Sequence, residues 1–165
     1  MRSLGLVLGL PAALAAFAVA GPSTSLGAGG TPLCATGNLR LDLVSSSAAT
    51  SHQFWDMGLR NVGPKTCHLR GYPGVGLLDV NANLINVTVA RATGRTVKTV
   101  VLRPWQRTTF TFEYVTSGPC LPHDFSTYGL RVIPPNDIRG LVWYAGKFDV
   151  CDVSLGGHPQ VTPVA

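Results

Sequence analysis

An alternation of aromatic and polar side chains constrains the fold of this 165-residue chain more than any other feature. The aromatic residues Phe110, Phe112 and Tyr114 alternate with Thr109, Thr111 and Glu113. A period of two places all three rings on one face of a β-strand. Rings of this size need a second sheet to cover them. The pattern therefore predicts a central strand in a two-layer structure.

Shorter apolar segments recur along the chain, and Gly, Pro and Asn separate them about every 8 to 12 residues, as in small β-domains. They lie at 39–44, 55–60, 67–69, 75–78, 85–89, 97–101, 128–132, 141–144 and 150–155. Nineteen Gly and 12 Pro, against a single Glu and three Lys, argue against a helical bundle. We therefore predict an all-β antiparallel sandwich of about eight or nine strands, with a closed barrel as the alternative.

The N-terminus has the pattern of a secretory leader. One positive charge at Arg2 precedes an apolar run of 16 residues, and Ala18-Val19-Ala20 provides small residues for cleavage. The run is shorter than the ~20 residues that span a bilayer. The predicted organisation is a signal peptide at 1–20, a flexible Gly/Ser/Pro-rich spacer at 21–33, a β-domain at 34–158 and a C-terminal tail at 159–165. We expect a secreted or cell-wall-associated protein without a stable membrane anchor after cleavage.

Four cysteines, Cys34, Cys67, Cys120 and Cys151, follow the predicted leader. No C-x-x-C pair occurs, which argues against a zinc knuckle or a thioredoxin-type redox site. In an oxidising compartment, four cysteines predict two disulfides. Three connectivities exist, and pairing Cys34 with Cys67 and Cys120 with Cys151 closes the two shortest loops. Each bond would stabilise the fold by about 3 to 4 kcal/mol.

The sequence contains no recognisable catalytic, cofactor or metal motif. The four histidines, His52, His68, His123 and His158, include no pair at i+2 or i+4. No G-x-S-x-G occurs, and two disulfides would leave no cysteine to act as a nucleophile. We therefore expect a protein that is not an enzyme and takes no cofactor. The alternative, an exported metal-dependent or hydrolytic enzyme, requires at least two histidines and an acid to converge in a cleft.

The positive charge of the chain is spread along the sequence. The formal net charge is +5, and the basic residues form no run of three. A solvated surface is the expected role of such charges. Outside the cell we expect no nucleic-acid partner. The sequence does not indicate an oligomeric state.

The segment Leu59–Val75 contains the pattern L-x-N-x-G-x-x-x-C-x-L-x-G-Y-P-G-V. It resembles an uncharacterised family of secreted proteins and lipoproteins of actinobacteria, and the likeness extends from Cys34 to Cys151. The resemblance implies export, an immunoglobulin-like β-sandwich, and disulfides that pair the first cysteine with the second and the third with the fourth. It implies no activity or ligand. Where members often have Pro-Gly, this chain has Pro104-Trp105, and we expect an exposed indole there.

Non-catalytic interaction in the cell envelope or medium is the predicted function, with an extracytoplasmic protein, glycan or lipid as partner. The candidate binding residues are Tyr72 and Pro73 in one loop and Trp105 and Arg107 in another, with Pro134–Arg139 as a third loop. Tyr72 and Pro73 also fit a structural corner, because Pro fixes φ and the Tyr hydroxyl can reach a backbone group. An indole on a contiguous apolar patch would favour binding at Trp105.

Overall fold

A computed structural model describes residues 30–116, 124–151 and 158–165. The predicted leader and residues 21–29 of the predicted spacer lie outside these residues. The described residues are all-β and contain no α-helix, which confirms the predicted fold class. No helix within them is long and apolar enough to cross a membrane.

Ten strands follow a short 3-10 turn at Thr36–Asn38. They are β1 (Leu39–Ala49), β2 (His52–Asn61), β3 (Cys67–Arg70), β4 (Gly74–Leu78), β5 (Ala90–Arg91), β6 (Thr99–Leu102), β7 (Arg107–Val115), β8 (Asp124–Ile133), β9 (Leu141–Cys151) and β10 (Gln160–Val161). They form a five-stranded sheet in the order β1-β2-β7-β10-β5, a three-stranded sheet β4-β8-β9 and the pair β3-β6. Pairing is antiparallel except between β10 and β5. The segment 159–165, predicted as a tail, contributes β10 and the buried Val164.

The aromatic strand lies inside the five-stranded sheet, as predicted. β7 pairs with β2 on one side and with β10 on the other. Phe110, Phe112 and Tyr114 are all buried, and Met57 and Trp55 of β2 lie opposite the two phenylalanines. The alternation along β7 therefore assigns Thr109, Thr111 and Glu113 to the outer face of the sheet.

Aromatic rings connect the five-stranded sheet to the three-stranded sheet. The ring centroid of Trp55 lies 5.3 Å from that of Trp143 and 4.6 Å from that of Phe148, and Tyr114 lies 5.4 Å from Phe148. Edge-to-face and tilted contacts at these distances are favourable beyond the area that they bury. Burial raises the pKa of the Tyr114 hydroxyl well above its usual range. These contacts form the interior of a two-layer sandwich.

Residues 85–89 differ from the sequence prediction. They form no strand, because the Val87 amide turns back to donate to the Ile85 carbonyl (2.9 Å) and β5 begins later, at Ala90. Ile85, Val87 and Val89 nevertheless pack against the core. The alternation therefore correctly predicted which side chains of 85–89 pack against the core, but the prediction of a strand there was wrong.

The two strands predicted at 141–144 and 150–155 are a single strand, β9, up to Cys151. A register shift in its pairing with β8, between Thr127 and Gly129, accommodates the break in the apolar pattern. Residues 152–155 lie outside the described part of the chain.

The predicted disulfide between Cys34 and Cys67 is present. It attaches the N-terminal segment to β3, and backbone hydrogen bonds between Cys34 and His68 (3.0 Å) and between His68 and Pro32 (2.8 Å) extend the attachment. Cys120 lies outside the described residues, so its bond to Cys151 stays a prediction. Cys151 itself is buried at the end of β9.

Replacing Phe112 with Ala should destabilise the sandwich by about 3 to 5 kcal/mol, because it removes a ring from the centre of the aromatic contacts. Equilibrium urea unfolding measures the change. Thr109→Ala, on the outer face of the same strand, is the matched control and should change stability by less than about 1 kcal/mol. Similar losses in both variants would contradict the placement of the core.

Peptide mapping under nonreducing conditions should recover Cys34 linked to Cys67 and Cys120 linked to Cys151. Thiol titration of the denatured protein should find no free thiol, because paired cysteines form disulfides in an oxidising compartment. Two free thiols would show that the second bond is absent.

Candidate functional site

The turn between β6 and β7 displays Trp105 at the protein surface. The indole-bearing residue is 70% exposed. The Gln106 amide donates to the Arg103 carbonyl (3.0 Å), Pro104 is the second residue of the turn, and Trp105 has φ 68°. Glycine normally occupies such a position, since a side chain in the left-handed region costs about 1 to 2 kcal/mol.

Asn61, fully buried at the end of β2, holds this turn in place. Its side-chain amide donates to the carbonyls of Lys65 (2.8 Å) and Leu102 (3.0 Å), and its side-chain oxygen accepts from the Gly63 amide (3.0 Å). Its backbone exchanges hydrogen bonds of 2.7 and 2.9 Å with the Arg103–Gln106 turn. A satisfied buried network of this kind makes the local backbone rigid. Asn61 therefore positions Trp105, a role that sequence analysis did not assign.

Three arginines cross the outer face of the sheet beside this turn. Arg40 of β1 lies opposite Arg60 of β2, which lies opposite Arg107 of β7. We call Arg40, Arg60 and Arg107 the arginine row. Asp42 Oδ2 accepts from the Arg107 guanidinium at 2.9 Å and lies 3.8 Å from that of Arg60. Sequence analysis named Arg107 as a candidate but missed the row, because its members are far apart in sequence.

Gly58 leaves space for the Arg107 side chain to reach Asp42. A Cβ atom at position 58 would lie 2.5 Å from Arg107 Cδ and 3.0 Å from Val44 Cγ2. The arginine stem thus crosses the sheet directly over the glycine. Asp42 Oδ1 is buried and has no hydrogen-bond partner among the described residues.

A shallow groove of about 340 Å³ lies between the indole and the arginine row. It is lined by Arg40, Asp42, Arg60, Val62 and Trp105. Val62, 36% exposed, is the apolar neighbour of the indole in this lining. Trp105 is therefore exposed as expected, but it borders charged side chains and not the contiguous apolar patch that would have favoured binding.

Tyr72 and Pro73 lie away from Trp105 and Arg107. The β3–β6 register places the Arg70 end of β3, which leads into Tyr72, at the end of the pair opposite the Trp105 turn. The Tyr72 hydroxyl donates to the Ala92 carbonyl (2.9 Å), and Pro73 is buried. These are the contacts of a structural corner, and the structure does not bring the two candidate pairs together.

The third candidate loop, Pro134–Arg139, fastens the N-terminal segment. Asp137 accepts hydrogen bonds from the Thr36 hydroxyl (2.6 Å) and the Thr36 amide (2.9 Å). The amides of Arg139 and Ile138 also donate to it. These hydrogen bonds, the Thr36 hydroxyl foremost, hold the pKa of Asp137 below its ordinary value of 3.8.

A second groove, of about 480 Å³, crosses the outer face of the same sheet and contains Asp56 and Glu113. Each carboxylate already has two side-chain hydrogen-bond partners, which are Ser45 and Thr111 for the first and His52 and Gln160 for the second. Among the described residues, no three His, Cys, Asp or Glu side chains come together as a metal site would require. His123 lies outside those residues.

Asp137→Asn should destabilise the protein near neutral pH. The asparagine side chain lacks the negative charge that the hydrogen-bond donors of Thr36, Ile138 and Arg139 stabilise. A depressed pKa contributes stability above pH 3.8 that is lost as the pH falls below this value. The difference in urea midpoint between wild type and variant should therefore be larger at about pH 7 than at about pH 2. Thr36→Val should show the same trend. A difference that does not change with pH would contradict this role for Asp137.

Comparison with known proteins yields one match to a family model, which is described as a domain of unknown function, DUF4232, and covers residues 34–165. No curated protein and no solved structure matches the chain. The matched region begins at the first cysteine of the Cys34–Cys67 disulfide and continues through β10. The chain therefore belongs to the DUF4232 family of domains of unknown function.

Proposed function

We propose that the protein is a non-catalytic binding module that acts outside the cytoplasm and makes contact with its partner through the Trp105 turn. The Cys34–Cys67 disulfide supports an oxidising compartment, and the predicted leader agrees with it. The alternative, an exported metal-dependent enzyme, would be favoured by a group of three His, Cys, Asp or Glu side chains. The described residues contain no such group. An anchored position at the cell wall and a free position in the medium both fit this function.

The conformation of Trp105 is the observation that carries the proposal. A large apolar ring is exposed at a backbone position that favours glycine, so it costs stability without adding to the core. The ring is not among the side chains of the described core cluster. Rigidly displayed tryptophans are frequent among the residues that dominate binding energy at interfaces. Contact with a partner is the use that this arrangement supports best.

Retention on purified cell walls, and on material captured from the culture medium, tests the proposal. Trp105→Ala and Trp105→Gly should each weaken retention by about tenfold or more, as expected for a central aromatic contact. Tyr144→Ala is the matched control, because Tyr144 is 62% exposed on β9 of the other sheet. Equal retention of wild type and both Trp105 variants would overturn the proposal.

The same variants separate binding from stability. Trp105→Gly should be about 1 kcal/mol more stable than Trp105→Ala in urea unfolding, because glycine accepts the positive φ without strain. The pair should nevertheless lose retention equally. A stability order in the opposite direction would contradict the strain at this turn.

A further inference from the structure

The arginine row carries more positive charge than its surroundings neutralise. Three guanidinium groups face one carboxylate, Asp42, which leaves an excess of two positive charges. Among the described side chains, Arg40 forms no ion pair. Like charges placed directly opposite each other on neighbouring strands are destabilising. The row is therefore an unfavourable arrangement for the free protein and a favourable one for a bound anion.

Asp42 lies close to two members of the row, at 2.9 Å from the Arg107 guanidinium and 3.8 Å from that of Arg60. Asp42 fixes the Arg107 guanidinium, and the absence of a side chain at Gly58 allows the stem to lie flat on the sheet. The three strands that carry the arginines are packed on the core side by aromatic and aliphatic side chains. Planar guanidinium groups bind carboxylate and phosphate oxygens through paired hydrogen bonds. Preorganisation lowers the cost of binding such a group.

The lining of the groove combines apolar and charged side chains. Trp105 and Val62 supply the apolar contact, whereas Arg40, Asp42 and Arg60 supply charge. The volume of about 340 Å³ is within the size range of small-ligand sites. A ring that carries an acidic group would place the ring against the indole and the acidic group on the arginines.

We infer that this groove binds an acidic sugar residue, whose ring packs on Trp105 and whose carboxylate or phosphate is bound by Arg40 and Arg60, the two members of the arginine row that line the groove. This inference rests on the proposed function and specifies its ligand. A lipid surface fits less well, because insertion into a membrane requires a broad apolar face, and the indole is bordered by charged side chains.

Binding to defined probes tests the charge requirement. The full chain should bind trigalacturonic acid or glucose 6-phosphate, and the methyl ester of the trisaccharide should bind at least about tenfold more weakly because it lacks the charge. Binding is measured by calorimetry and by a shift in tryptophan emission. Affinity for the charged probes should fall as salt screens the arginines. Equal binding of acid and ester, or no binding of either acidic probe, would overturn the inference.

Variants of the row locate the site. The double variant Arg40→Gln, Arg60→Gln should bind the acidic probes about tenfold or more weakly. The double variant Lys98→Gln, Lys147→Gln also removes two positive charges, from the residue before β6 and from β9, and should change affinity by less than about twofold. The Arg40, Arg60 double variant should also be at least as stable as wild type in urea, because it removes opposed like charges. If the Arg40, Arg60 double variant bound the acidic probes as tightly as wild type, the site would not be at the arginine row.

Two comparisons distinguish this inference from the proposed function. Cell-wall retention that depends on Trp105 but not on the arginine row would overturn the acidic ligand and leave the binding module intact. Retention that depends on neither would overturn both. The protein could instead bind phosphatidylglycerol vesicles in a way that requires the arginine row, and fail to bind the acidic sugars. This result would assign the groove to lipid headgroups and overturn the acidic sugar as its ligand.

Discussion

The contact between Trp55 and the rings of Trp143 and Phe148 is the interaction on which the other features depend. It joins the two sheets across the interior, and β7 is held in register between β2 and β10 as a result. In a strand with one buried face, a slip by one residue would turn every aromatic side chain outward. The position of each outer-face residue is therefore set by the packing on the inner face. The alignment of Arg60 with Arg107 is a direct consequence of this register.

Much of the fold could be predicted because burial leaves a periodic signal in the sequence. The alternation in β7 is a signal of this kind. The first disulfide and the exposure of Trp105 were instead expected from the resemblance to a known family. The segment 85–89 shows the limit of such patterns. Its apolar side chains reach the core from an irregular backbone, and a strand requires a neighbour, which periodicity does not specify.

The candidate site was only partly predictable, for a related reason. Trp105 and Arg107 are two residues apart in sequence, whereas Arg40 and Arg60 join them through the pairing of three strands. The basic residues were interpreted as scattered because sequence separation does not report register. Asn61 is similar: it belongs to the quoted sequence pattern, but its role depends on partners more than 40 positions away. The sequence shows which side chains are available, but it does not show which of them lie together in the fold.

The arginine row also has a consequence for when the protein can act. Arg40 and Arg107 belong to strands that do not pair with each other and are joined through β2, so an unfolded chain presents single, separated charges. The arginine row forms only when the tertiary structure forms. A ligand that occupied it would bind native molecules selectively and, by mass action, protect them from unfolding and proteolysis at their destination.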